Sequence, residues 1–342
     1  MSLTDVNLFR IDGTLGSVSN ISTASLNGGP LAGTRNRIIN GNFDFWQRGT
    51  SHSTSGYGSA DRWVNSIIGS ACTMSRQPFT LGQTDVPGEP LYFCRMAVTS
   101  VAGAGNIANL QQRIEGVRTF AGQQVTVSFW AKADAAKPIS VELIQFFGSG
   151  GSPSASVDTI GTTKTTLSTS WQKVIVTATV PSISGKTLGT NGDSWLQFNI
   201  WFDAGSDFNS RTDSLGQQSG TFEIAQVQLE PGPVATPFEQ RPIGTELALC
   251  QRYYLQADGE YKFDGQLNSG GTDVSVAYMW FFPVAMRAIP TLTTVAESSS
   301  NATAVGWTAK SYGGAVGSWQ WQNTAPVVAR SKAAVVAASA EL

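Results

Sequence analysis

One octet constrains the fold of this chain more than any other segment: Trp195-Leu196-Gln197-Phe198-Asn199-Ile200-Trp201-Phe202. Side chains along a β-strand point to alternate faces, with period two. Leu196, Phe198, Ile200 and Phe202 therefore share one face, which reads as core. Trp195, Gln197, Asn199 and Trp201 share the other. Two flat rings flanking two amides suit a sugar, because rings stack on pyranose CH faces and amides bond hydroxyls. The same face would equally suit a neighbouring subunit, since Trp is enriched in buried interfaces.

Composition points to sheets rather than helices. Charged residues make up 13% of the chain, about half of the ~25% usual in globular domains. Gly numbers 36, and Ser, Thr and Val are abundant, a mixture that favours strands and tight turns. The net charge is −2 and there is no basic run, which argues against a nucleic-acid partner. No stretch approaches a membrane span, and Met1 to Arg10 are too polar for a signal peptide. Folding in a cytoplasm without membrane insertion is therefore expected. Cys72, Cys94 and Cys250 form neither a CxxC pair nor a metal-ligand spacing and read as buried thiols.

Three regions follow one another. Residues 1–35 lack core-forming periodicity and read as an anchor arm that a partner would order. Residues 36–243 carry many short strands between Gly, Ser and Pro turns, the pattern of a sandwich or barrel. Val125, Val127 and Phe129 alternate with Thr126, Ser128 and Trp130. Val174, Val176, Ala178 and Val180 alternate with Lys173, Ile175, Thr177 and Thr179. The alternation slips near Ala225 and Gln226, which predicts a bulge. Thr245 is predicted to cap a helix over residues 246–254. Residues 244–342 then read as a smaller β-sheet domain, so the fold class is all-β with one short helix between the two domains.

Five segments occur in order: Arg37-Ile38-Ile39-Asn40-Gly41-Asn42-Phe43-Asp44-Phe45-Trp46-Gln47-Arg48-Gly49, Ala60-Asp61-Arg62-Trp63, Val127-Ser128-Phe129-Trp130-Ala131-Lys132, Ser170-Trp171-Gln172-Lys173, and the exit from Val227 to Pro242. Together they resemble the carbohydrate-binding-module-like jelly roll of a family of bacteriophage tail-fibre and virion proteins. The helix at 246–254, Met286-Arg287-Ala288-Ile289-Pro290-Thr291 and Ala340-Glu341-Leu342 resemble the C-terminal module of the same proteins. The resemblance covers about residues 36–342. It implies a jelly-roll β-sandwich, a trimerising C-terminal domain, and a virion fibre or appendage that binds host surface polysaccharide. Residues 1–35 match nothing in that family and would meet other virion proteins. The resemblance also implies a structural calcium between first and last strands, with Asp44 at its acidic position. Ala225-Gln226 stands where such modules carry aspartates, which counts against a bound ion. No other cofactor is implied.

Catalysis is not expected. His52 is the single histidine and lies in a Ser/Thr/Gly loop with no local group to orient it. Glu115, Glu142, Asp203 and Glu230 are scattered, and no spacing pairs two of them for glycan hydrolysis. Trp63 reads as a packed core ring, with Asp61 clasping Arg62, and Trp46 reads as core or domain seam. Trp130 is on the non-core face of its strand and joins Trp195, Gln197, Asn199 and Trp201 as a sugar-binding candidate on one surface, protein–protein burial being the rival reading. Trp319 and Trp321 form a second such pair in the C-terminal domain. Three functions stay open: a glycan-binding fibre protein, a purely architectural decoration or adaptor protein, and a glycan depolymerase.

Overall fold

The structure is a computed structural model that describes residues 25–26, 29–30, 34–257, 261–266, 275–300, 304–311, 313–320 and 329–342. Most of the expected anchor arm lies outside these residues, as do Trp321 and the Trp319 side chain.

A short hairpin pairs β1 (Ser25–Leu26) with β2 (Gly29–Pro30). The next strands are β3 (Ser51–His52), β4 (Val64–Ile68), β5 (Ala71–Pro78), β6 (Tyr92–Thr99) and β7 (Ile107–Glu115). They continue through β8 (Gln124–Ala133), β9 (Lys137–Phe146), β10 (Val157–Leu167), β11 (Gln172–Thr179) and β12 (Trp195–Ala204). A single helical turn, α1 (Asn209–Thr212), precedes β13 (Gly220–Pro231). These strands build two antiparallel sheets, ordered β10-β9-β12-β7-β4 and β11-β8-β13-β6-β5-β3, stacked as a jelly-roll sandwich.

Alternation explains the core between the sheets. Leu196, Phe198, Ile200 and Phe202 are fully buried, as the octet required. They meet Val125, Val127 and Phe129 of β8 and Val174, Val176 and Ala178 of β11 in one cluster. Trp63 stacks on Phe43 at 5.1 Å and meets Phe198 edge-on, so it is core. Trp46 is also buried, and all three cysteines are buried and unpaired. The bulge lies where the pattern slipped: β13 shifts register against β8 between Ala225 and Gln228, and Gln226 adopts φ 49°.

The helix α2 (Ile243–Gln251) leads into the C-terminal strands β14 (Tyr254–Gln256), β15 (Tyr261–Gln266) and β16 (Ser275–Phe281). They are followed by β17 (Thr291–Ser300), β18 (Ala304–Ser311), β19 (Gly314–Gln320) and β20 (Ala329–Ser339). β14, β15 and β17 pair with β20, and β16 and β18 flank β19. Thr245 does not cap α2. The helix starts after Pro242, which holds φ at −53° and supplies no side-chain cap.

Arg62 is fully buried, but it does not clasp Asp61. It pairs instead with Glu341, and its guanidinium lies 3.5 Å over the Tyr253 ring. Burial works against its charge, yet the adjacent Glu341 holds its pKa above the ordinary value. Arg48 adds a second contact to Glu341 at 3.0 Å. Asp61 accepts from the Gln47 backbone N–H at 3.0 Å and from the Gln47 amide at 2.5 Å. The same Gln47 amide donates to the Tyr254 carbonyl at 3.1 Å.

Candidate functional site

The outer face of β12 does carry Trp195, Gln197, Asn199 and Trp201 in register, but the fold closes it. Trp201 is 1% exposed and packs with Ile107, Ala204, Leu215 and Phe208. The last two come from the β12–β13 connection, which folds over the ring. Trp201 Nε1 donates to Glu142 Oε2 at 3.2 Å, and Asn199 Nδ2 donates to the same oxygen at 3.1 Å. Arg211 of α1 completes the lock, bonding both Glu142 oxygens at 2.9 and 2.8 Å. Burial works against the Arg211 charge, but these bonds to Glu142 hold its pKa above the ordinary value.

Gln197 donates to Asn199 Oδ1 at 2.8 Å and accepts from Arg113 at 3.3 Å. Trp195 is flanked on one side by Phe146, stacked at 4.0 Å, and on the other by the Arg113 guanidinium at 4.4 Å. Every amide and ring of the octet's outer face is thus engaged within the chain. Trp201 belongs to a small core, and its reading as an exposed sugar platform is corrected.

Trp130 is not on this surface. It lies on β8, in the other sheet, opposite Lys173 of β11 and Ala225 of β13. Alternation along a strand assigns a face but not a sheet, so the shared outward phase of the five residues does not bring them together. Trp130 is half-buried and packs with Val86, Phe93 and Ala225, together with Phe79 and Trp171. It lines a cleft of ≈ 500 Å³ together with Pro87, Gly88, Pro237 and Phe238.

The bulge places the next group. Gln226 enters the cleft from its left-handed backbone, and its Nε2 donates to the Pro87 carbonyl at 2.6 Å. Gln226 is 7% exposed, and its Oε1 has no partner among the described residues. Gly88 turns the wall at φ +81°, a conformation that favours glycine. Lys173 is exposed beside Trp130, and its ammonium touches the Thr236 carbonyl at 3.3 Å.

Trp171 extends the aromatic surface and was not singled out from the sequence. Its ring meets Phe79 at 5.3 Å and Phe93 at 5.4 Å, and Lys132 Nζ sits 5.3 Å from its centroid. The signal was present: Trp171 is in phase with Lys173 and Ile175, the outward residues of β11. Lys132 and Arg95 share Glu223 at 3.1 and 2.5 Å.

The residues around Asp44 do not fit calcium. The Asn42 amide donates to both Asp44 oxygens at 3.2 and 3.1 Å, where a cation would need oxygen donors. Gln226, in the place of the expected aspartate, turns its amide to Pro87. Burial raises the Asp44 pKa, the Asn42 bond offsets part of that, and Glu246 adds to it. Among the described residues no group of three His, Cys, Asp or Glu side chains could hold a metal ion.

The carboxylates considered for hydrolysis are each occupied. Glu115 pairs with Arg252 at 2.9 Å, and Asp203 accepts from Ser70 at 2.6 Å and Ser100 at 2.8 Å. Glu230 accepts from Thr236 at 2.7 Å and pairs with Arg35 at 3.3 Å. His52 Nε2 is within 2.7 Å of the Thr54 hydroxyl. Burial lowers the His52 pKa, and the nearby Arg48 charge lowers it further.

No protein-family model matches the sequence, and no curated protein matches it. Among solved structures, a CBM4 structure aligns at TM-score 0.32 and 16% identity, over 57% of this chain and 99% of that one. A family 11 carbohydrate-binding module from Clostridium thermocellum, in complex with a β-1,3-1,4-mixed-linked tetrasaccharide, aligns at TM-score 0.31 and 10% identity. That alignment covers 55% of this chain and 98% of the module. The enzymatically active domain of tailspike protein 4 from bacteriophage CBA120 aligns at TM-score 0.31 and 14% identity, over 57% of this chain but 21% of that one. Likeness at this level says nothing about function, and the chemistry of this chain rests on its own residues.

Proposed function

We propose that this chain is a non-enzymatic structural protein of a bacteriophage particle, a trimeric fibre or appendage that binds host surface glycan at the Trp130 cleft. The arm over residues 1–35 would join it to other virion proteins, and assembly would occur in the host cytoplasm. The observation that carries the reading is the half-buried Trp130 ring lining a ≈ 500 Å³ cleft beside Gln226. A ring offers a sugar its stacking surface, and an amide with a spare acceptor offers its hydroxyls a partner. The ordered resemblance to phage fibre proteins supports the particle context. The occupied carboxylates support a binding role over hydrolysis.

A glycan array tests the proposal. The full chain should bind a subset of bacterial polysaccharides, and Trp130→Ala should lose that binding at least tenfold with little change in melting temperature. A bare array would favour a purely architectural protein. The exposed Leu81 and Leu91, near the aromatic cluster, suit that second reading. Shortening of a bound polysaccharide during incubation would instead reveal a depolymerase.

A further inference from the structure

The outer face of β8 and β11 carries more than one ring. Trp130 is paired directly with Lys173. One step along, Ala131 pairs with Gln172, so Lys132 falls opposite Trp171 on the same outward face as Trp130. The two Trp residues are diagonal neighbours, roughly 7–8 Å apart at the backbone, with the two lysines on the other diagonal. Lys132 lies 5.3 Å from the Trp171 ring centroid, and Lys173 is exposed at the mouth of the cleft.

The charge of this strip is one-sided. Lys132, Lys173 and Arg95 line it, and among the described residues Glu223 is the carboxylate that pairs with them, shared by Lys132 and Arg95. Among the described residues the Lys173 ammonium is partnered by the Thr236 carbonyl and by no carboxylate. Among the described residues no carboxylate lines the cleft itself. A neutral sugar would use the rings and Gln226 but would leave the Lys173 charge without a counterion.

The geometry points to an acidic glycan as the ligand. One sugar ring would stack on Trp130 with its carboxylate or other anionic substituent at Lys173, and the chain would continue over Trp171 and Lys132. This inference rests on the glycan-binding reading above and adds the chemical class and a second subsite. The pairing of each ring with a cation supplies both stacking and charge, and a strip of alternating ring and ammonium matches a polymer whose repeat carries an anion.

The test uses the full-length chain on an array of uronate-, sialate- and pyruvate-bearing polysaccharides, each printed beside its carboxyl-reduced, neutral twin. The wild-type chain should hold acidic members at least tenfold more tightly than their twins at 50 mM salt, and the gap should narrow at 500 mM. Lys173→Gln should bring the acidic members down to the level of their neutral twins, and Lys173→Arg should restore the gap. Trp171→Ala should weaken long polymers more than single repeats. Lys173 and Trp171 both reach solvent, and melting curves on the same samples confirm that each variant is folded. Equal binding to acidic members and neutral twins overturns the acidic class and leaves glycan binding standing. Silence on every spot overturns both.

Discussion

Trp201 and Asp61 show how burial redefines a residue that looks functional in the sequence. Trp201 is 1% exposed, and its indole donates to a buried carboxylate that Arg211 and Asn199 also hold. Trp201→Ala should therefore act on stability. It removes a large core ring and leaves Glu142 one donor short, for a loss of about 3–5 kcal/mol. Urea unfolding should show this as a lower midpoint, while the folded fraction keeps its glycan binding. Normal stability with lost binding would return Trp201 to the ligand site. Asp61 titrates in an unusual range: burial pushes its pKa from 3.8 up to about 6, against the pull of the Gln47 bonds. Between pH 4 and 6 the folded chain holds a proton that the unfolded chain has released. Stability from this group is present below that window and falls as pH rises through it, by about 3 kcal/mol in all. Asp61→Asn cannot titrate, so its stability, measured against the wild type, should gain steadily from pH 4 to 6 and level off above.

At the scale of elements, the sequence was legible wherever one strand decides its own fate. The octet, β8 and β11 bury the faces that alternation assigns, because a strand of a sandwich has one core side. The bulge at Ala225 to Gln228 was visible as a break in the same pattern. Which sheet a strand joins was not legible, since that depends on pairing partners far along the chain. Trp130 and Trp201 accordingly share an outward phase yet lie in opposite sheets. The closure of the β12 face was hidden for a related reason. The covering segment around α1 is short and polar, and only its tertiary contacts through Phe208, Arg211 and Leu215 reveal it as a lid. β10 offers little alternation to read. β10 runs through Thr162, Thr163, Thr165 and Thr166 at a sheet edge, where few positions need to be apolar.

At the scale of the whole molecule, the C-terminal domain poses the problem that assembly would solve. Its described core is small, built on Leu255, Trp280, Phe282, Met286, Val336 and Ala338. Between two buried rings of that core, Phe281 points outward and is 72% exposed, and Ile289 is 56% exposed. Large apolar groups at such exposure fit a surface that meets copies of itself, and a closed ring of three would bury each copy's patch without leaving an open end. Light scattering of the full-length chain at micromolar concentration should give three times the mass of one chain. Phe281→Glu places a charge where that contact is expected, and it should reduce the particle to single chains with unchanged sheet content, because the ring supports little within one copy. Monomer mass for the unaltered chain would overturn the trimer. The functional consequence follows from multivalency: each cleft alone should hold its sugar weakly, and three on one particle can raise adhesion by on the order of 10²–10⁴ without any new contact. Phe281→Glu should then bind soluble glycan as the wild type does and yet fail to adhere to cells, a separation that a defect in the cleft itself could not produce.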